Sequence, residues 1–150
     1  RPDMALFKFT KAILNGDPID VYNYGDMSRD FTYIDDLVRA MRLLIDTVPG
    51  DINLLKRNTN ATDSKSRIAP FRVVNLGNSK PTQLLDFISA IEKSVDTKAL
   101  KNLMPMQAGD VPTTWADSTL LADLTGYKPN MDFRIGVQNF VSWYREYYNI

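Results

Sequence analysis

The sequence predicts an α/β fold, and three observations carry that expectation. The run Phe71-Arg72-Val73-Val74-Asn75-Leu76 is rich in β-formers, ends at Gly77, and gives way after Thr82 to helical spacing. Strand, glycine turn and helix in that order is the grammar of an α/β protein. Ile19 to Tyr24 and Arg29 to Ile34 alternate apolar and polar residues around Gly25-Asp26, as two short strands joined by a turn would. Leu37, Val38, Met41, Leu44, Ile45 and Val48 recur at helical spacing until Pro49-Gly50, which marks an amphipathic helix.

The remaining elements follow in chain order. Met4, Leu6, Phe7, Phe9, Ile13 and Leu14 form a helical stripe between Asp3 and Asn15, with Gly16 where a C-cap glycine belongs. Asp35 or Asp36 is the expected cap of the second helix. From Asp51 to Pro70 the residues are polar and without period, which reads as a mobile surface loop. Its length suits a lid, a partner contact or a tolerated insertion, and the insertion is favoured. Asn60-Ala61-Thr62 matches a glycosylation acceptor by chance, since no secretory pattern precedes it.

Thr82 is the expected cap of a third helix carrying Leu84, Leu85, Ile88, Ile91 and Val95 on one face. Asn102 to Met106 reads as another short strand. Asp117 to Leu124 is a fourth helix closed by Gly126, and Ile135 to Tyr148 a fifth that turns Phe140, Val141, Tyr144 and Tyr148 inward. No internal repeat is visible, and 150 residues suit one compact unit.

Composition narrows the chemistry. Lys plus Arg and Asp plus Glu both number 18, so no electrostatic reason exists to expect a nucleic acid or an anionic membrane as partner. The chain has no Cys and no His, which excludes disulfides, thiolate nucleophiles, Ser-His-Asp catalysis and most transition-metal sites. No run approaches the roughly 18 apolar residues of a membrane span, so a soluble, cytoplasmic protein is expected. The chain opens Arg1-Pro2-Asp3 without Met, which suggests a piece of something longer.

Few side chains stand out as chemistry. Arg29 sits where the turn delivers the chain into a strand, and its planar fork suits a diphosphate. A salt bridge to Asp30 or Asp26 is the plainer alternative. Asp110, between Gly109 and Val111-Pro112, is rigidly placed and can accept both hydroxyls of a ribose, although Gly-Asp is commonly just turn chemistry. Arg1 can pair with a carboxylate or phosphate, unless it is frayed as terminal residues often are. Asp35 and Asp36 are adjacent and do not face each other on a helix, so capping explains them better than acid and base roles. Tyr22, Tyr24 and Tyr33 suit either base stacking or strand packing. The sequence contains no glycine-rich dinucleotide fingerprint and no Tyr followed four residues later by Lys, so no catalytic residue is assigned to this chain.

Arg1-Pro2-Asp3-Met4-Ala5, the stretch from Val21 through Arg29-Asp30-Phe31 to Asp36, Val74-Asn75-Leu76-Gly77-Asn78, and Gly109-Asp110-Val111-Pro112-Thr113-Thr114-Trp115-Ala116-Asp117 together resemble the C-terminal half of UDP-glucuronate 4-epimerases. These are extended short-chain dehydrogenases. The resemblance covers nearly the whole chain and is most specific from Tyr22 to Asp36. It implies an NAD-dependent enzyme of surface polysaccharide synthesis that oxidises the sugar at C4, lets the 4-keto intermediate rotate, and returns the hydride to the other face.

The same resemblance assigns NAD and the Tyr-x-x-x-Lys pair to an N-terminal Rossmann domain outside this chain, and UDP-sugar binding to the part present. Residue by residue, Arg29 matches a diphosphate-contacting arginine, Tyr22 a position lining the uridine pocket, Asp110 the carboxylate that meets the ribose, and Arg1 a reader of the sugar carboxylate. Gln107 stands where many relatives carry a second phosphate-binding arginine. Arg72 to Leu76 and the helix after Thr82 are expected to belong to the Rossmann sheet, so that the isolated piece self-associates or is disordered. A homodimer is implied for the full-length protein. A UDP-glucuronate decarboxylase, a sugar-nucleotide dehydratase and a free-standing nucleotide-sugar-binding module are the alternatives.

Overall fold

A computed structural model describes residues 2–49, 63–66 and 68–150. Arg1, the Asn60-Ala61-Thr62 triplet and most of the loop expected between Asp51 and Pro70 lie outside the described residues. Five α-helices and five short strands are present among them. Where length suggested one compact unit, the chain forms two: Arg1–Arg29, Pro81–Thr114 and Asp132–Ile150 make the first, Asp30–Lys80 and Trp115–Met131 the second.

The first unit contains helices α1 (Ala5–Asn15), α3 (Leu84–Val95) and α5 (Phe133–Tyr148). The ends of α1 and α5 follow from their residues. Gly16 closes α1 in the left-handed region at φ 74°, and Asp132 caps α5 by accepting from Arg134 N. Phe87, Ile88, Ile91 and Val95 on α3 are buried and pack between α1 and α5. The helix expected to belong to a sheet outside this chain therefore carries the centre of a core within it. Val137, Val141 and Tyr144 of α5 complete it, with the Phe7 ring edge-on to Tyr144 at 5.2 Å. Tyr148, expected to face in, is nearly half exposed at its rim.

Strands β1 (Pro18–Val21) and β4 (Leu100–Leu103) pair in parallel, Pro18 with Leu100 through Val21 with Leu103. The strand expected to reach Tyr24 stops at Val21, because Tyr22–Gly25 curls into a 3-10 turn with Asn23 and Tyr24 at positive φ. Gly25 adopts φ 88°, a conformation that favours glycine, and a Cβ there would lie 2.6 Å from the Leu85 side chain. Glu92 is buried on α3 and accepts from Lys101 Nζ, Lys98 Nζ and Ala99 N. It ties the end of α3 to the start of β4. Burial raises its pKa, but those bonds and the Lys101 charge prevail and lower it to about 2.

A second sheet has the order β3 (Pro81–Gln83), β2 (Ser28–Asp30), β5 (Thr113–Thr114), with β2 and β5 parallel. The expected strand from Arg29 to Ile34 is thus shorter and begins one residue earlier. Thr82, expected as a helix cap, lies in β3, and the cap position of α3 is Gln83.

The second unit contains α2 (Ile34–Ile45) and α4 (Thr119–Thr125), with Ala40, Leu121 and Leu124 buried. Neither Asp35 nor Asp36 caps α2; Tyr33 holds that position. Asp36 is instead a buried anchor, taking hydrogen bonds from Tyr127 Oη at 2.5 Å, Asn130 N at 3.0 Å and Met131 N at 2.8 Å. Burial raises its pKa, yet these donors and the Arg39 charge outweigh that and hold it below the usual value. Tyr127 is pushed up to about 12 by its burial and by the bond to Asp36. Arg39 lies 4.6 Å above the Tyr127 ring.

The β-rich run from Phe71 to Gly77 forms no strand. Its exposure nevertheless alternates, Phe71 and Val73 facing solvent while Arg72 and Val74 are half-buried beside Leu44 and Thr47. It keeps the period of a strand but has no ladder partner among the described residues. Asp63, in the loop expected to be mobile, forms a bidentate ion pair with Arg72. Gly77 is fixed by close approach, since a Cβ there would lie 2.4 Å from Ala116 Cβ and 2.9 Å from Asp30 Oδ2. Ile34, Val38, Met41 and Ile45 on α2, and Val48 beyond its end, are each more than half exposed.

The remaining boundaries shift modestly. The strand expected from Asn102 to Met106 is Leu100–Leu103, the fourth helix starts at Thr119 instead of Asp117, and the fifth at Phe133 instead of Ile135. No described helix is long and apolar enough to cross a membrane.

Candidate nucleotide-sugar site

The first unit brings together two side chains that lie 81 residues apart in sequence. Gly109 adopts φ 85°, and the turn closes with Asp110 N donating to Gln107 O. This aims Asp110 at β2. The Asp110 Oδ1 atom accepts from Val111 N at 2.9 Å and from Arg29 Nη2 at 2.8 Å. Arg29 Nη1 donates to Ser28 O at 2.9 Å and to Pro112 O at 3.1 Å. Parallel pairing of Ser28 with Thr113 and Arg29 with Thr114 sets this geometry, reinforced by Ser28 Oγ donating to Thr113 Oγ1.

The valences of the pair are informative. A guanidinium carries five N–H donors, and three have acceptors among the described residues, leaving Nε–H and one Nη2–H. Asp110 Oδ2 receives no hydrogen bond among the described residues. Both side chains are about one-third exposed, at 32% and 34%. The arrangement is a held arginine with two outward donors beside a carboxylate with one open oxygen. Such a pair can accept an anionic group and a hydroxyl side by side.

The carboxylate partner of Arg29 is Asp110 and neither Asp30 nor Asp26. Asp30 is engaged within the second unit, where Oδ2 accepts from Ser79 N and Ala116 N. Tyr22 lies in the first unit, half-buried at the start of the 3-10 turn, and makes no hydrogen bond to Arg29 or Asp110. Tyr24 is 62% exposed. Gln107 is exposed and brings no charge to the turn. Sequence reasoning missed the carbonyls of Ser28 and Pro112 as the holders of Arg29; Pro112 beside Asp110 was the available signal, but the pairing partner of β2 was not.

A cavity of about 320 Å³ opens in the second unit, lined by Ser79, Trp115, Asp117, Thr119 and Lys128 among others. Its polar groups are largely spent internally: Asp117 accepts from Thr119 N and Oγ1, and Ser79 Oγ donates to Ala116 O.

A dinucleotide needs a glycine-lined strand-to-helix turn that lets its pyrophosphate approach the backbone. The strand entering α3 directly is Pro81-Thr82-Gln83, which has no glycine, and the Cβ space of Gly25 is filled by Leu85. These residues do not fit NAD.

Residues 3–140 match the family model described as GDP-mannose 4,6 dehydratase, within the extended short-chain dehydrogenases, and the chain belongs to that family. Among its relatives is a probable UDP-glucuronate 4-epimerase of Rhizobium meliloti (strain 1021), 52% identical over 148 residues that cover 99% of this chain and 43% of that protein. UDP-glucuronate 4-epimerase 4 of Arabidopsis thaliana is 41% identical over 153 residues, covering 99% of this chain and 33% of its own. The structure of UDP-glucuronic acid 4-epimerase from Bacillus cereus with NAD is similar at a TM-score of 0.75 and 28% identity, covering 99% of this chain and 40% of that one. The same enzyme with UDP-glucuronic acid and NAD gives 0.73 and 27%, covering 96% and 41%. The chain spans less than half the length of the curated relatives it matches.

Proposed function

We propose that this chain is the UDP-sugar-binding part of an NAD-dependent UDP-sugar 4-epimerase that interconverts UDP-glucuronate and UDP-galacturonate. The observation that carries the reading is the Arg29–Asp110 pair, with two guanidinium donors turned outward and one carboxylate oxygen open. In this reading Arg29 grips the diphosphate, Asp110 Oδ2 accepts from the ribose, and Tyr22 lines the uridine pocket. Arg1, outside the described residues, reads the sugar carboxylate by charge-assisted pairing. The similarity to proteins named UDP-glucuronate 4-epimerase supports the substrate.

NAD belongs to the part of the polypeptide outside this chain, together with the residues that move protons. The chain's own contribution is to hold and orient the nucleotide sugar. The exposed stripe on α2 and the exposed Phe71 and Val73 support docking against that other part. The isolated chain is inactive and self-associates through the same surfaces, whereas the full-length protein is a cytoplasmic homodimer.

Incubating the full-length polypeptide with NAD and UDP-glucuronate, and following products by chromatography, tests the activity. UDP-galacturonate is the expected product, with none from the 150-residue chain alone. Release of carbon dioxide would favour the decarboxylase instead, and turnover by the isolated chain would overturn the division of labour.

A further inference from the structure

We infer that Asp110 makes the site selective for a diphosphate joined to a ribose over bare inorganic phosphates. The inference rests on the proposed roles of Arg29 and Asp110 and extends them. In the structure the guanidinium and the carboxylate are 2.8 Å apart, so the pair carries no net charge. Gln107, across the same turn, adds none. A phosphate on the two remaining donors of Arg29 also lies close to the anion of Asp110, which is bonded to the same Nη2. Repulsion from that anion cancels part of the attraction to the guanidinium.

A nucleoside diphosphate escapes that cancellation. Its ribose hydroxyl donates to the open Oδ2, which turns the repelling carboxylate into an acceptor while Arg29 receives the phosphate. Two conditions are thus read at once, and a ligand that meets one of them gains little. Specificity of this sort comes from a group that disfavours the wrong ligand as much as from one that favours the right one. The carbonyls of Ser28 and Pro112 hold Nη1 independently of Asp110. Removing the Asp110 charge therefore leaves Arg29 in place.

This separates three roles by sign. If Asp110 only positions Arg29, its loss weakens both nucleotide and inorganic ligands. If it only accepts from the ribose, inorganic ligands are unaffected. If it discriminates, the two respond in opposite directions.

The test is calorimetric titration of the full-length protein, its Asp110→Asn variant and, as a second replacement, Asp110→Ser, with UDP and with pyrophosphate at low ionic strength. The expected result is UDP binding about tenfold weaker and pyrophosphate binding roughly three- to tenfold tighter. Appearance of measurable pyrophosphate binding only in the variants supports the inference equally. Pyrophosphate binding that is unchanged, weakened or undetectable throughout overturns it. Arg29→Ala measured alongside keeps the two claims apart: UDP affinity unaffected by that change removes the underlying site, whereas a loss there without a gain for pyrophosphate removes only the discrimination.

Discussion

Asp36→Ala is expected to lower the unfolding free energy of the second unit by ~3 kcal/mol, because it strips one acceptor from three donors at once. Tyr127 Oη and the amides of Asn130 and Met131 would be left without it. Asp36→Asn should cost only ~1 kcal/mol. An asparagine can place its oxygen at the Oδ2 position, where both amides donate, and turn its NH₂ toward Tyr127, whose hydroxyl is able to accept. The folded-state pKa of Asp36 is depressed, so its contribution is present above the unfolded carboxyl range and is lost as pH falls through the folded value. Urea denaturation of the parent and the two variants between pH 7 and pH 3 checks the ranking and the acid sensitivity, which should be smaller in the variants than in the parent.

Glu92 makes the corresponding prediction for the first unit. Its pKa falls from 4.5 to about 2 in the folded state, so folding is favoured by its ionisation above the unfolded value and that stability disappears as pH drops from about 5 to about 2. The shift corresponds to ~3 kcal/mol at neutral pH. Glu92→Gln preserves an oxygen for Lys101 and Ala99 N, and Lys98, which is largely exposed, can return to water. The variant should therefore be less stable than the parent at pH 7 and equal to it near pH 2. Parallel stability curves across that window would show that Glu92 gains nothing from its two lysines.

Both anchors were invisible in the sequence, for a physical reason. Asp36 was read as a helix cap because the local rule concerns its first turn, whereas its partners lie more than ninety residues on, at Asn130 and Met131. Helices carried by their own periodicity and stop signals were legible: α1 ends at Gly16, α4 at Gly126, and α5 keeps its buried face. Strands were less so. A strand is defined by its neighbour, and Phe71 to Leu76 shows why: its composition and alternating exposure are those of a strand, but no ladder forms among the described residues. Pro81-Thr82-Gln83, with no strong β pattern, does pair.

The site divides in the same way. Arg29 and Asp110 were each ambiguous locally, and the structure joins them through the parallel register of β2 and β5, which neither segment encodes alone. Arg1 lies outside the described residues, and Tyr22 shares the unit without bonding to the pair.

The central claim, that Arg29 beside Asp110 holds the diphosphate of a UDP-sugar, is tested most directly by titrating UDP-glucuronate into the full-length protein and its Arg29→Ala variant. The account predicts affinity about a hundredfold weaker in the variant, as expected for losing a charge-assisted phosphate contact, with an unchanged melting temperature. Equal affinity in the two proteins would contradict it.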